Sequence, residues 1–455
     1  MKTFIINKAV ILSTILVLLS AGIKVFAQVK HSGIEISNKA DQYLKTLTEL
    51  NRFSGSVLIA KDGKIVFNNQ YGFANYEHEV LNNTDTKFRI ASVTKQFTAM
   101  AVMMLHEERK LKVHDPICKY LTDCPEIWKN ITIHHLLTMS SGIPEYDDFP
   151  PNNIVKSAQV TLDEHIETFK DKKLDFAPGE KFRYSGSNYV LLGKIIEIVS
   201  GKSYANFLQE KIFRPLKMKN TGLINRETLL IHEAEGYKWA SDSFEVADYI
   251  RPLDGYSAGG MYSTTEDLLK WDRALYGEKL ISKRSLETMF TPFKEHYGYG
   301  WFSEMKFNYK WINHSGHIEG FQSQLSRFPD EKIAIIILSN FDRTNIGSVT
   351  EDLAAIVFGE PYEVPKPYTE VAINLQLYND YIGEYDLFPN ASFTVLIENG
   401  NLIGQLRGQK EKMVPFSETE FYTKKYDLEI KFFRNAEGKV NYLTFRKVTK
   451  AQKIK

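Results

Sequence analysis

The chain has 455 residues, with 57 lysine and arginine residues against 56 aspartate and glutamate residues. This balance argues against nucleic acid or an anionic surface as the main partner, because such partners select strongly basic chains. A chain of this length can form more than one domain around a large apolar core. Its two cysteines would need further ligands nearby to form a metal site.

The first residues have the pattern of an export signal. Lys2 and Lys8 precede an apolar run over residues 9–22, and Ala27 supplies the small residue that signal peptidase requires. The run is shorter than the roughly 20 apolar residues of a membrane-spanning helix. We therefore predict a signal peptide over residues 1–27 and an exported protein, periplasmic or secreted, with no membrane span after cleavage. An uncleaved anchor is the alternative.

Two β-prone runs follow, at residues 56–60 and 64–67, and they flank Lys61-Asp62-Gly63. An Asp-Gly pair between such runs favours a tight hairpin, because both residues tolerate the backbone angles that the turn requires. We predict that the fold begins with this antiparallel pair.

The stretch over residues 88–100 places a serine and a lysine three residues apart. Apolar residues recur at helical spacing after Lys95, so Ser92 is predicted to lie in the first turn of a buried helix. Residues three apart share a helix face, so the Ser92 hydroxyl and the Lys95 amine can converge. A serine hydroxyl needs such a base to become a nucleophile. Taken alone, Ser-x-x-Lys also fits an ordinary serine beside a solvated lysine.

Further along, Cys118 and Cys124 lie close together in the sequence. In an exported protein this spacing is compatible with a local disulfide, although sequence alone does not establish the bond.

Helices are predicted at several places between residues 132 and 275. Residues 132–138 form a short helix, and a longer one begins at an N-cap, Ser187, and ends at Ser200-Gly201. Residues 221–257 lack clear periodicity and predict a loop-rich wall. Residues 263–267 contain a capping pattern for a helix that extends through Leu275.

The last part of the chain is rich in β-prone runs. Residues 311–314, 323–328 and 333–338 predict three neighbouring strands, the last of them central because it is almost entirely apolar. Three prolines between residues 361 and 367 mark a linker, and the runs beyond it predict an all-β tail. We place the first domain at residues 28–363 and the second at 364–455.

Blocks between about residues 55 and 340 resemble, in order, those of one serine hydrolase family. That family includes class C β-lactamases, low-molecular-weight penicillin-binding proteins and related esterases and D-amino-acid peptidases. The blocks are Ile90-Ala91-Ser92-Val93-Thr94-Lys95, residues 136–144 and 176–180, Tyr184-Ser185, residues 189–193, 258–261 and 297–301, and His314-Ser315-Gly316.

The resemblance implies an α/β (α+β) fold, in which an antiparallel sheet is flanked by helices and joined to an all-helical lobe, as in β-lactamases and transpeptidases. The tail, from Tyr381-Ile382-Gly383 onward, resembles the small lipocalin-like barrel that some members carry. Such a barrel either stabilises the enzyme or gates its substrate, and the sequence leaves both roles open.

The resemblance also implies a mechanism through an acyl-enzyme on an ester or an amide. Ser92 would attack the carbonyl, and Lys95 and Tyr184 would share its proton. Both groups ordinarily have pKa values near 10, so packing must lower them: the lysine ammonium would lower the pKa of Tyr184, and partial burial that of Lys95.

The other predicted site residues lie beside the nucleophile or on the strand around residue 314. The backbone N–H groups of Ser92 and His317 would form the oxyanion hole. Ser315 and Gly316 would line the substrate, with Gly316 letting it lie against the strand. His314 would complete the catalytic group.

Two positions depart from the family pattern. The second motif is usually Tyr-x-Asn, but its third position here is Gly186, so Ser185, Asn188 or a water would have to replace the amide, unless the substrate has no amide to be held. His314 stands where many members carry a lysine. A neutral histidine there would be a hydrogen-bonding partner of Tyr184 and would favour uncharged esters over penicillins.

Several alternatives remain at this point. Taken singly, Tyr184 fits a packed loop tyrosine and His314 a satisfied strand histidine. His314 and His317 have no third metal ligand beside them, and His134 and His135 lie on different helix faces, so we expect neither a metal nor a cofactor.

The expected partner is a small-molecule, peptide or peptidoglycan-fragment substrate, and not a nucleic acid. The alternative function is a non-hydrolytic penicillin-binding or sensor protein of the same fold. The oligomeric state stays open.

Overall fold

The computed structural model describes residues 32–149, 161–224, 229–240, 242–248, 252–388, 391–406, 408–424, 428–445 and 449–454. The predicted signal peptide lies outside these residues. Among the residues described, no helix is both long and apolar enough to cross a membrane.

A six-stranded antiparallel sheet is the centre of the larger part of the chain. Its strands are β1 (Gly55–Lys61), β2 (Lys64–Tyr71), β3 (Phe302–Lys306), β4 (Tyr309–Ile318), β5 (Phe321–Phe328) and β6 (Ile333–Ser339). They lie in the order β3-β4-β5-β6-β1-β2. The predicted hairpin of β1 and β2 is confirmed, and Asp62 and Gly63 at its turn have φ angles of 50° and 68°. The three predicted neighbouring strands are also confirmed, as β4, β5 and β6.

Both faces of the neighbouring strands β1 and β6 are largely apolar, because both faces of the sheet are covered by helices. On β1, Val57 and Ile59 pack in one core while Leu58 and Ala60 pack in another. This alternation follows from the two-residue period of a strand. Consequently β6 is buried along its whole length.

The helices lie on the two sides of this sheet. They are α1 (Gly33–Glu49), α2 (Thr94–Glu107), α3 (Ile133–Leu137), α4 (Leu162–Lys170), α5 (Gly186–Ser200), α6 (Tyr204–Leu208), α7 (Arg214–Leu216), α8 (Pro252–Gly259), α9 (Thr265–Ala274), α10 (Lys283–Phe290) and α11 (Ile346–Phe358). The short helix α12 (Tyr378–Tyr381) instead packs in the core of the C-terminal barrel. Apolar residues of α1 and α11 share one core with the sheet, and those of α2, α5 and α9 share the other.

Two of the predicted helix starts have different outcomes. Thr264 caps α9, and its side chain accepts a hydrogen bond from the Asp267 N–H, as predicted. The prediction that Ser187 caps α5 is wrong. The N-cap position is occupied by Ser185, two residues earlier, and the Ser187 hydroxyl instead donates to the carbonyl of Pro144. The end of α5 at Gly201 is as predicted, with that residue in the left-handed conformation.

The described residues between 221 and 257 contain more regular structure than their lack of periodicity suggested. Gly222–Leu223 pairs with Met261–Ser263, and Tyr237–Ala240 pairs with Ser243–Val246 in a hairpin. The side chain of Phe244 stacks on Tyr76 at 4.1 Å between ring centroids. Aromatic packing therefore fixes this hairpin where the sequence offered no regular apolar spacing.

The end of the chain forms a closed eight-stranded barrel, which confirms the predicted all-β tail. Its strands are β7 (Gly383–Phe388), β8 (Ala391–Glu398), β9 (Asn401–Leu406), β10 (Gln409–Pro415), β11 (Glu420–Thr423), β12 (Leu428–Arg434), β13 (Val440–Phe445) and β14 (Thr449–Lys453). The barrel has its own apolar core, which includes Tyr385, Phe421 and Leu443. The boundary at residues 363 and 364 stays a prediction.

Cys118 and Cys124 are joined by a disulfide, so the open pairing is resolved in favour of the bond. Both sulfurs pack against the large core that contains α2. The bond closes a loop with a sequence separation of six residues, and it is expected to act mainly on the unfolded chain.

We predict that replacing both cysteines by serine lowers the free energy of unfolding by about 2 kcal/mol, because a loop this short loses little entropy on closure. Denaturant unfolding of the oxidised protein and the double variant measures the difference. A fluorophosphonate probe, which reacts covalently with activated serines, should label Ser92 equally fast in both proteins. A loss of labelling at full stability would instead connect the disulfide to the site.

Candidate active site

Ser92 lies in a tight turn that the surrounding backbone holds in place. The short strand Phe88–Arg89 pairs with Met261–Ser263, and the Ile90 N–H donates to the carbonyl of Met261 at 2.9 Å. A 3₁₀ turn over Ala91–Val93 then leads directly into α2. Ala91 has a φ angle of 44°, a left-handed conformation that is costly for a residue with a side chain. The turn therefore presents Ser92 at the start of the helix at the expense of local strain.

Lys95 makes the contact that the three-residue spacing predicted. Its Nζ donates to Ser92 Oγ at 2.9 Å and to the carbonyl of Ala258 at 2.7 Å. The side chain is 2% exposed. Burial lowers the pKa of Lys95 to about 7, against a smaller upward effect of Glu145. Much of this lysine is therefore an uncharged amine near neutral pH, and it can accept the proton of Ser92.

Tyr184 lies next to these two groups but does not have the expected pKa. Lys95 Nζ is 4.9 Å from the centre of the Tyr184 ring. Burial raises the pKa of Tyr184, and the smaller downward effect of Ser92 does not offset it. The expected lowering by a lysine ammonium is thus wrong, because desolvation dominates and the lysine is itself partly neutral. The buried Tyr184 hydroxyl forms no hydrogen bond of ordinary geometry with the described residues.

His314 is buried on β4 and is neutral. Its Nδ1 is 2.6 Å from the carbonyl oxygen of Ser315, so Nδ1 carries the proton and Nε2 is free to accept. Tyr297 is the partner at Nε2, at 3.3 Å. Burial, and then Lys95, lowers the pKa of His314 to about 3. The neutral state agrees with the prediction, but the hydrogen-bonding partner is Tyr297 rather than Tyr184.

The edge of β4 passes close to the backbone of Ser92. A Cβ atom on Gly316 would collide with the carbonyl of Ile90 and the hydroxyl of Ser323, and would come within 3.0 Å of the Ser92 nitrogen. Glycine is therefore required here for the strand to approach the nucleophile. Ser315 and His317, on either side, are exposed.

The exposed ring of His317 faces a carboxylate. Its Nε2 is 3.6 Å from Asp342 Oδ1, and the Asp342 carboxylate raises the pKa of His317. The predicted contribution of His317 is its backbone N–H, which does not depend on the charge of the ring.

The residues suggested as substitutes for the missing asparagine are not available. Asn188 is 1% exposed; its oxygen accepts from the hydroxyl of Ser141, and its nitrogen donates to the carbonyl of Ser185 at 3.0 Å. Ser185 is fully buried, and its hydroxyl donates to the carbonyl of Pro144 at 3.2 Å. The prediction that Asn188 contacts substrate is therefore corrected, because its side chain is already satisfied within the protein.

A different residue, Glu145, occupies the place beside Gly186, and the sequence analysis missed it. Its Oε2 accepts the Gly186 N–H at 2.5 Å. Burial raises the pKa of Glu145, partly offset by that N–H and then by Lys95. The available signal was its position directly after the block that ends at Pro144, followed by Tyr146. No periodicity or spacing connects it to residue 186.

The histidines of α3 belong to a separate cluster. His134 Nδ1 is 2.7 Å from the Tyr299 hydroxyl, and His135 Nδ1 accepts from the backbone of Thr132 at 3.2 Å. Across the described ranges, no group of three or more histidine, cysteine, aspartate or glutamate side chains is arranged to hold a metal ion. The site is thus made of Ser92, Lys95, Tyr184, His314 and the edge of β4, with Glu145 beside them.

Comparisons with known proteins agree with this architecture. The beta-lactamase family model matches residues 40–357. The chain is 30% identical over 428 residues to penicillin-binding protein 4* of Bacillus subtilis (strain 168), which covers 88% of this chain and 94% of that protein.

Several solved structures have a similar fold, and those with an identity of 25% or more to this chain include a penicillin-binding protein homologue and an amidase. The octameric penicillin-binding protein homologue from Pyrococcus abyssi has 26% identity and a TM-score of 0.65, covering 91% of this chain and 99% of that chain. The D-amino acid amidase from Ochrobactrum anthropi SV3 has 25% identity and a TM-score of 0.58, covering 67% of this chain and 92% of that chain.

We predict that the reactivity of Ser92 rises with pH around a midpoint of about 7, the pKa of Lys95, because only the uncharged amine accepts a proton. The rate constant for covalent labelling by a fluorophosphonate probe should increase about tenfold between pH 5 and pH 6 and level off above about pH 8. The rate at which hydroxide hydrolyses the same probe, measured without the protein at each pH, serves as the reference. A labelling rate constant that rises only around pH 10, where lysine ordinarily titrates, would show that Lys95 is not the base.

Proposed function

The chain belongs to the beta-lactamase family, and from that membership we propose that it is an exported serine hydrolase that forms an acyl-enzyme at Ser92 on an ester or amide substrate. The observation that carries the proposal is the 2.9 Å contact between Lys95 Nζ and Ser92 Oγ, made by a lysine that is 2% exposed. A buried amine with a pKa of about 7 is suited to general base catalysis at neutral pH. The basic and apolar pattern at the N-terminus supports export.

In the proposed acylation step, Ser92 attacks the substrate carbonyl while Lys95 takes the hydroxyl proton. The backbone N–H groups of Ser92 and His317 stabilise the oxyanion that forms. The Lys95 ammonium then returns the proton, through the Tyr184 hydroxyl, to the departing alcohol or amine. Tyr184 keeps its own proton between steps, consistent with its raised pKa. A water molecule attacks the acyl-enzyme in the second half by the same proton path.

The charges around Ser92 favour substrates without a carboxylate near the scissile bond. His314 is neutral, and Lys95 is partly neutral, so neither supplies a permanent positive charge. Glu145 adds a carboxylate that would repel another one. We therefore place simple esters and amino-acid amides ahead of penicillins as substrates, although relatives of this chain are named for binding penicillin.

A non-hydrolytic penicillin-binding or sensor protein is the other candidate. It shares the acylation step and differs only in the second half, because its acyl-enzyme would persist. The similarity to penicillin-binding protein 4* supports this candidate. Turnover therefore has to be measured separately from labelling.

We predict that Ser92→Ala abolishes both labelling by a fluorophosphonate probe and turnover of a short-chain nitrophenyl ester, because the attacking oxygen is lost. Thermal unfolding should change little, since the side chain of this serine accepts no capping hydrogen bond from the helix backbone. The test measures labelling, ester turnover and penicillin turnover on the purified wild type and variant. Labelling without any turnover would favour the sensor, and activity in Ser92→Ala would remove the proposed mechanism altogether.

A second prediction concerns Lys95 and Tyr184 as one proton-transfer unit. Lys95→Ala and Tyr184→Phe should each reduce kcat/KM for the ester by about a thousandfold or more, and the double variant should lose little beyond the larger single loss. Tyr297→Phe is the matched control, because it removes a buried tyrosine hydroxyl that contacts His314 instead. Losses that multiply in the double variant would mean that the two residues act in separate steps.

A further inference from the structure

Gly186 leaves a space that two neighbouring side chains fill. A Cβ atom at this position would lie 2.8 Å from the Tyr146 ring and 3.2 Å from Glu145 Oε1. The glycine therefore lets Glu145 approach the first turn of α5, two residues from Tyr184. Where an asparagine would offer both a donor and an acceptor, an ionised carboxylate offers only acceptors. This side of the site therefore accepts hydrogen bonds from a substrate, whereas the asparagine of the family motif could also donate one.

The carboxylate is held rigidly, but only by backbone groups. Its two oxygens accept the N–H groups of Gly186 at 2.5 Å and Tyr146 at 3.0 Å. The preceding residue is tied to the same helix, because the carbonyl of Pro144 accepts from Ser185 and Ser187. No lysine, arginine or histidine of the described chain forms an ion pair with Glu145. A half-buried carboxylate thus remains without a cation in contact.

Glu145 also acts electrostatically on the reacting groups. Its negative charge acts on the two groups proposed to move the proton: after the larger effect of burial, it raises the pKa of both Lys95 and Tyr184. Lys95 contacts Ser92 and the carbonyl of Ala258, and it forms no ion pair with Glu145. The carboxylate is held on Gly186, two residues from Tyr184, and its charge acts on the groups around Ser92 without being neutralised by a contacting cation among the described residues.

We propose that Glu145 is a specificity-determining residue that binds a substrate ammonium group next to the scissile carbonyl. This inference rests on the proposed hydrolase function and names its substrate class: amides, esters or short peptides of amino acids with a free amine. Such an ammonium would supply the cation that Glu145 lacks, and a charge-assisted hydrogen bond to a partly buried carboxylate is among the stronger polar contacts. An acylated amine or a carboxylate at the same place would leave Glu145 desolvated and unpaired.

Two simpler roles for Glu145 make different predictions. If it only caps the first turn of α5, its loss lowers stability and slows all substrates alike. If it only tunes Lys95, its loss also changes all substrates alike, because every reaction at Ser92 uses the same base. Selective loss of the substrates that carry an ammonium group is expected only from direct binding.

The test compares two substrates of nearly equal size at pH 7. One is alanine p-nitroanilide, whose amine is largely protonated because α-amino groups titrate near 8. The other is the lactic-acid analogue, in which a hydroxyl replaces the amine, and each is used in both enantiomeric forms. The measured quantity is the ratio of the two kcat/KM values for the better enantiomer. The variants are Glu145→Gln, which keeps the shape and one acceptor oxygen, and Glu145→Asp, which keeps the charge. Glu287→Gln is the control, because it removes an exposed carboxylate on α10.

In the wild type we expect the amine to be preferred by at least tenfold. Glu145→Gln should reduce that ratio by at least tenfold, mainly through a higher KM for the amine, while Glu145→Asp retains part of it and Glu287→Gln retains all of it. A wild-type ratio near one, or an unchanged ratio in Glu145→Gln, overturns the inference, and the wild-type measurement does so even if a variant does not fold. Turnover without preference leaves the hydrolase proposal intact, whereas no turnover of either anilide or of a nitrophenyl ester, together with no labelling of Ser92, overturns both.

Discussion

The removal of water from Lys95 is the constraint on which the rest of the site depends. An exposed lysine beside Ser92 would be fully protonated at neutral pH and could not accept a proton. At 2% exposure its pKa is about 7. The surrounding structure has to hold the amine in that environment, and the carbonyl of Ala258 does so directly. The residue two positions earlier, Tyr256, has a φ angle of 32° at a kink in α8, so this segment, like the turn at Ala91, carries backbone strain next to Lys95.

The same burial separates the roles of neighbouring groups. It raises the pKa of Tyr184 and lowers those of Lys95 and His314, because in each case the uncharged form is favoured. In the resting site Tyr184 and His314 are therefore uncharged, and a large fraction of Lys95 is uncharged at neutral pH. Of the three, only Lys95 has a pKa close to neutral pH, so it is suited to be the base, while Tyr184 is suited to pass a proton on. The neutral His314 contacts Tyr297 through its Nε2.

Much of the fold and part of the candidate site could be predicted from the sequence, because these features depend on short-range regularities. The Asp62-Gly63 turn, the spacing of Ser92 and Lys95, and the apolar run of β6 each follow from a local rule about backbone angles or periodicity. The family blocks then gave the order of the elements and the place of His314. The glycine at 316 was expected to let substrate lie against the strand, whereas the structure gives it another role: β4 approaches Ser92 too closely for a side chain there.

What failed depends on contacts between distant segments. Asn188 looked available because it follows Gly186 by two residues, yet its side chain is taken up by Ser141, 47 residues away. The start of α5 was misplaced for a similar reason: Ser187 donates to Pro144, 43 residues earlier, instead of capping the helix. The pKa of Tyr184 was judged from its pairing with Lys95, whereas the extent of burial, which only the folded chain shows, decides it.

Glu145 shows how a contact between distant segments also sets the charge near Lys95. Its importance arises because a glycine at residue 186 makes room for a side chain 41 residues earlier, a relation that neither segment reveals alone. Its charge also raises the pKa of Lys95, so an empty site keeps more of the base protonated than burial alone would. A substrate ammonium bound at Glu145 would cancel that effect and add a positive charge near Lys95, and both changes lower the pKa of the lysine. In the proposed mechanism the cation that the site selects would therefore also increase the fraction of Lys95 able to accept the proton of Ser92, so recognition and activation of the nucleophile would depend on the same carboxylate.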